Sequence, residues 1–292
     1  MVAGRDHPVP VTLGVFLAVL GAAALHATWN AMVKHDGDKL MAMSGVMLGH
    51  IPVALLCLPF VPIPAAESLP WMVAGMALHF GYQMFLVNSY RIGDLTQVYP
   101  IARGSAPLIV AAISIVFLGV DLAPVELLAV LVIGAGILSL GLTRRADGLR
   151  NGRAAVLALV TGTFIAGYSL VDGTGARAAG TAVGYYAWLA LGNAAMLSIY
   201  LALRSPSTFR DLATHGRRAF WIGGTASFVA YAIVTWAFTQ APIALVTALR
   251  ETSIVFALVI GITVLREPLN LAKVASTMTT LLGVALLRWV RS

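Results

Sequence analysis

Apolar and polar positions alternate along this chain in long blocks. Runs of about twenty mostly apolar residues recur from one end to the other, separated by short polar connectors that often carry proline, as at Pro62, Pro64, Pro124, Pro206, Pro242 and Pro268. Runs of that length suit helices crossing a hydrocarbon layer about 30 Å thick. Their expected positions are 11–33, 40–60, 69–90, 95–118, 124–143, 153–174, 181–203, 218–239, 243–265 and 269–289. Backbone groups in lipid must find partners within their own segment, and no run shows the two-residue alternation of an outer-membrane barrel, so each is expected to be helical. The expected fold is an all-α polytopic membrane protein with ten transmembrane helices.

The most polar stretch in the middle of the chain, RRADGLRNGR at Arg144–Arg153, divides the spans into two sets of five. An odd number in each half makes the second half enter from the opposite face, which gives two inverted five-helix repeats. The expected units are residues 1–143, a basic cytoplasmic linker at 144–152, and residues 153–292. The N-terminal run could be read as a signal peptide, but its apolar character continues through Trp29 to Val33, long enough for a span.

Composition agrees with the pattern: 59% of the 292 residues are hydrophobic and 11% charged, against about 25% charged in soluble domains. The net charge of +7 would raise the question of nucleic acid in a soluble chain, but the basic residues flank apolar segments, so no nucleic-acid partner is expected. The loops between spans 1–2, 3–4, 5–6, 7–8 and 9–10 hold 13 Lys and Arg, and the termini and other loops hold 4. The positive-inside rule then puts those five loops in the cytoplasm and both termini outside, in the inner (plasma) membrane of the cell. Cys57 is the one cysteine, which excludes a disulfide framework or thiolate cluster and reads as packing.

Charges inside the apolar blocks are the exception to the pattern. Arg250 and Glu251 stand side by side within the ninth segment, and Arg103 stands in the fourth. An ionisable group at membrane depth costs between ~2.5 and ~17 kcal/mol, so such residues are read as facing a cavity. Arg103 and Arg250 are 147 residues apart, the same offset that separates Gly136 from Gly283. Two guanidiniums suit a carboxylate, phosphate or phosphonate held bidentately, and both arginines are expected to line one cavity between the halves. The plainer alternative is that Arg250 is neutralised by Glu251 or by another helix.

The segment RETSIVFALVIGITVLREPLNLAKVASTMTTLLGVALL, Arg250 to Leu287, is an apolar helix ending in an Arg-Glu-Pro turn and followed by a glycine-bearing helix. It resembles the EamA-type repeat of the drug/metabolite transporter superfamily, and HATWNAMVK at His26–Lys34 resembles the first helix of that family. The resemblance covers nearly the whole chain and implies a metabolite exporter or exchanger working by alternating access. In two respects this sequence departs from the pattern. Val120 and Asp121 stand where the counterpart of Glu267 is expected, and the charge count places the termini opposite to the usual description.

Other polar and aromatic residues recur at helical spacing. His26 and Asn30, with Trp29 beside them, Tyr99 and Arg103, and Tyr168 and Asp172 are pairs four apart that share a face. With Tyr82, Trp188 and Trp236 they form the expected substrate-binding set around Arg103 and Arg250. Glu251, His26 and Asp172 are candidate proton carriers, with Glu251 first because Asp172 is read as near the end of its span; a hydrogen bond between helices is the structural alternative for His26. Glycines 134, 136 and 283 are read as helix contacts. No metal, cofactor or catalytic residue is expected: the chain has no HExxH motif, no paired cysteines and no P-loop. The expected partners are a small polar, anionic or zwitterionic metabolite, membrane lipid and a coupling proton, in a monomer or homodimer. The alternatives are a flippase for a lipid-linked sugar and, outside transport, an intramembrane enzyme built on His26 or His79, or a channel.

Overall fold

The computed structural model describes residues 11–36, 38–92, 95–142, 152–264, 266 and 271–289. Apart from Gly152, which opens a helix, the basic linker lies outside the described residues, as do Glu267 and Pro268. Among the described residues the protein is all helix and connector: α1 (Leu13–His35), α2 (Lys39–Leu48), α3 (His50–Cys57), α4 (Leu69–Ile92), α5 (Leu95–Val116), α6 (Pro124–Leu142), α7 (Gly152–Ala179), α8 (Ala182–Arg204), α9 (Ser207–Thr214), α10 (Gly224–Gln240), α11 (Ile243–Arg250), α12 (Ser253–Thr263) and α13 (Leu271–Trp289). Side-chain caps fix several starts. Thr12, Asp38 and Thr181 each accept a hydrogen bond from the backbone N–H three residues on, satisfying donors that a helix start leaves open.

Among the described residues six stretches are long and apolar enough to cross a membrane: Leu13–Val33, Lys39–Phe60, Gly152–Ala179, Ala182–Arg204, Ala219–Gln240 and Ile243–Thr263. Shorter apolar helices cover Pro100–Val116, Pro124–Ser139 and Val274–Leu287. Large apolar side chains such as Leu56 (71% exposed), Val116 (70%) and Leu203 (78%) face outward, a surface suited to lipid. The chain is an all-α membrane protein.

Lipid tails are as apolar as leucine, so helices in a membrane associate through close packing of small residues. In α7, Ala154, Ala158, Gly162 and Ala166 form a buried stripe at four-residue spacing, and α7 packs against α4 and α5. Neighbouring helices close a ring: α1 on α10, α10 on α8, α8 on α4, α4 on α7, α7 on α5, and α5 and α1 both on α11. All eight residues of α11 are buried. Outside this ring α6 and α13 pack on each other, on α5 and on α12 respectively.

Two segments read as continuous spans are broken, and one helix was not expected. The second apolar run divides into α2 and α3 at Gly49. A Cβ at that position would lie 2.0 Å from the Phe220 carbonyl oxygen, so only glycine lets this bend press against the π-helical turn Ala219–Gly223 that opens the eighth run. The ninth run divides between α11 and α12 at Glu251 and Thr252. The short helix α9 occupies a connector read as loop.

Candidate functional site

Local hydrogen bonding sets the break at Glu251. The N–H groups of Glu251 and Thr252 donate to the carbonyls of Ala248 and Leu249, each at 3.1 Å, and the Thr252 hydroxyl donates to the Leu249 carbonyl at 2.8 Å. These three-residue bonds tighten the chain into a 3₁₀-like turn between α11 and α12. Arg250 is thereby the last residue of α11, at the helix end whose dipole favours a cation.

The two neighbouring charges go to different partners. Glu251 accepts from Arg103 Nε at 2.9 Å, with both side chains buried, and Arg103 Nη2 also reaches the Ser253 hydroxyl at 3.4 Å. Arg103 rises from α5 between Pro100 and Pro107; lacking an N–H, Pro107 cannot donate the helical bond that the Arg103 carbonyl would accept. Glu251 thus neutralises the arginine of the other half of the chain and not the arginine beside it in sequence.

Arg250 faces a cavity of about 70 Å³, room for several water molecules. Its walls come from α1 (His26, Trp29), α2 (Met43, Met47), α3 (His50), α4 (His79, Tyr82, Gln83), α7 (Tyr168), α8 (Tyr186, Asn193), α10 (Ser227, Tyr231) and α11 (Arg250). The guanidinium carbon lies 6.0 Å from the Tyr168 ring centre and 5.8 Å from that of Tyr231, and Nη2 approaches the Tyr168 hydroxyl at 3.5 Å. Arg250 Nε is buried without a hydrogen-bond partner. Among the described residues no carboxylate pairs with Arg250 and none lines the cavity. Ring faces can lower the cost of the buried charge without cancelling it.

A second polar unit stands behind the cavity wall. Asp172, fully buried on α7, accepts at one carboxylate oxygen from His79 Nε2 and from the Tyr231 hydroxyl, both at 2.7 Å. His79 stacks on Tyr168 with ring centres 4.1 Å apart, and Tyr231 meets His79 edge-on at 5.3 Å. The other carboxylate oxygen of Asp172, Oδ1, and the Tyr185 hydroxyl are buried without hydrogen bonds. Both crowd Gly75 of α4, where a Cβ would meet them at 2.5 and 3.6 Å.

The residues singled out from sequence thus fall into four groups. Arg250, His26, Trp29, Tyr82 and Tyr168 line the cavity. Arg103, Glu251 and Asp172 are buried but absent from its wall. Asn30 donates back to the His26 carbonyl at 2.7 Å, while Trp188 (44% exposed) and Trp236 (38% exposed) face outward. The Tyr99 side chain lies outside the described residues. The reading of Asp172 as near its span end is corrected, since α7 continues about two turns further, to Ala179. His50, Gln83, Tyr186, Asn193 and Tyr231 were not singled out. His79, Tyr82 and Gln83 stand at i, i+3 and i+4, a spacing that marks one polar face of α4.

No family model matches the sequence, and no curated protein matches it. A crystal structure of a protein, at 17% identity, superposes with a TM-score of 0.71 and covers 95% of this chain and 99% of that one. The likeness shows a shared fold over nearly the full length of both chains.

Proposed function

We propose that the protein is a secondary transporter that moves a small anionic or zwitterionic metabolite across the inner membrane by alternating access. The observation that carries this reading is Arg250: a buried cation without a carboxylate partner, at the break in a helix, open to a cavity in the middle of the fold. Broken helices at the midplane are where many transporters place their substrate.

In the same reading the chain is an EamA-like duplication of ten spans in two inverted repeats. Helix contacts support it, because they pair off when the first five apolar segments are exchanged for the last five. The contact of α1 with α10 answers that of α7 with α4, and α1 with α12 answers α7 with α5. Likewise α5 with α6 answers α12 with α13, and α6 with α13 maps onto itself. The orientation follows the basic residues of the connectors: a reporter active only in the periplasm is expected to work when fused after Ser292 and to be silent near Arg210. The reverse pattern would invert the molecule.

A thermal-stability screen of the purified protein tests the substrate class. Carboxylates, phosphates and sulfonates are expected to raise the unfolding temperature with concentration, as ligands of a folded state do, and neutral sugars to leave it unchanged. Stabilisation by neutral sugars alone would defeat the anion reading.

A further inference from the structure

We infer that His79 is a proton site coupled to the anion site at Arg250, so that one proton crosses with each monoanion carried. The inference rests on the transporter reading for its role in a cycle, and on geometry and charge for its existence.

Glu126 is buried at the start of α6, outside the ring; the charges around the cavity balance in only some states. Arg103 and Glu251 cancel in their 2.9 Å pair. With Asp172 ionised and His79 neutral, Asp172 offsets Arg250 and the empty core carries no net charge. A monoanion at Arg250 leaves one uncompensated negative charge, and a proton on His79 removes it. Net charge at membrane depth is costly. The empty unprotonated core and the loaded protonated core are therefore the two states suited to reorganise within the membrane, which makes the cycle an electroneutral proton–anion symport.

The hydrogen bonds say where the proton goes. An ionised carboxylate only accepts, so His79 Nε2 carries the hydrogen it shares with Asp172 at 2.7 Å, and the incoming proton takes Nδ1. One N–H bond forms at Nδ1, and the O–H bond that held the proton in hydronium or a buffer acid breaks. Asp172 then holds an imidazolium in a buried ion pair. His26 and His50 also line the cavity, but among the described residues neither pairs with a carboxylate, so a proton on either would add a bare charge.

Each element packed around His79 contributes to its electrostatics. From α7 come Asp172 and Tyr168, from α10 the Tyr231 hydroxyl, and from α8 Tyr185 and Tyr186. From α5 comes Arg103, already neutralised by Glu251. Tyr82 shares α4 with His79 and packs on Tyr168, and His50 of α3 shares the cavity. Tyr168 joins the two sites: its ring stacks on His79 at 4.1 Å and lies 6.0 Å from the Arg250 guanidinium carbon. Charges about 10 Å apart at an effective dielectric near 20 change an affinity about tenfold. By reciprocity, protonation of His79 strengthens anion binding by that factor.

Calorimetric titration of the whole purified protein with benzenesulfonate tests the inference. This probe stays ionised at every pH used, so any proton taken up goes to the protein. Titrations in buffers of different ionisation heat, from about pH 5 to about pH 9, are expected to show proton uptake that peaks near about half a proton per benzenesulfonate bound, the most a tenfold coupling allows, and affinity about tenfold higher at the acid end. In His79→Gln, benzenesulfonate is expected to bind with no proton uptake and a flat pH profile. Should that variant fail to fold, flux of benzenesulfonate into wild-type proteoliposomes gives the second measurement. It is expected to follow an imposed pH gradient and to ignore a potassium–valinomycin potential. Binding without proton uptake, uptake that survives His79→Gln, or flux that follows the potential would overturn the inference and leave the anion site intact. Absence of benzenesulfonate binding to the wild type, with no anion active in the thermal screen, would overturn the anion site and this inference together.

Discussion

Arg250→Ala is expected to lower the affinity for the anionic ligand by between about thirtyfold and about five-thousandfold, the range found when one partner of a buried, hydrogen-bonded charge pair is removed. The same variant is expected to unfold at a temperature equal to or above that of the wild type. The two effects have one cause. In the empty protein Arg250 has no carboxylate in contact with it among the described residues, Asp172 balancing its charge only at a distance, with Nε lacking any hydrogen bond and two tyrosine rings at 5.8 and 6.0 Å as its main support. Removing it relieves a cost in the empty state and deletes the attraction in the loaded one, the trade between stability and activity common at binding sites. Arg250→Lys should fall between, because an ammonium keeps the charge but loses the planar fork that grips two oxygens at once. Binding isotherms and unfolding temperatures on the same three proteins check this. A large loss of stability in Arg250→Ala with affinity unchanged would make Arg250 a structural residue.

Much of this arrangement is legible in the sequence, and the part that is not follows a physical pattern. Hydropathy locates the helices because a backbone in lipid has no partner but itself. Buried arginines stand out for their cost, which is why Arg103, Arg250 and Glu251 could be picked from the chain alone. Their pairing could not be picked. Adjacent residues on a helix point about 100° apart, so sequence proximity of Arg250 and Glu251 said nothing of contact, and the tight turn at Glu251 sends the carboxylate to Arg103 instead. Helix breaks were also invisible. Gly49 reads as one glycine among 28 until the Phe220 carbonyl is seen against it. Asp172 reads as near the end of its span, whereas α7 continues to Ala179, with Arg177 donating to the Phe238 and Ala241 carbonyls at the end of α10. The outward tryptophans show the opposite error. Aromatic rings suit both a binding cavity and a lipid-facing surface, and composition does not distinguish Trp29 in the wall from Trp188 and Trp236 on the outside.

The second large effect concerns the pair that joins the halves. Arg103→Met is expected to destabilise the protein by about 3–5 kcal/mol, because it leaves the Glu251 carboxylate buried without its cation; Glu251→Met is expected to cost a similar amount by stranding Arg103. The double variant should recover most of the loss. Two apolar side chains of similar length fill the same space, and the desolvation of both charges, which the ion pair must offset in the wild type, disappears. The Ser253 hydroxyl loses a 3.4 Å contact in the Arg103 variants, a small term beside a stranded charge. Unfolding measured in one detergent on all four proteins gives the coupling directly. Strong non-additivity, with the double variant closer to wild type than either single, is the expected outcome. Additive losses would mean that the two groups act independently, each with other neighbours compensating its charge. The distinction reaches the proposed mechanism, since the neutrality of the empty core assumes that Arg103 and Glu251 cancel each other. If they do not, the charge left for Arg250, Asp172 and His79 to balance is no longer zero, and the one-to-one ratio of proton to anion would fail with it.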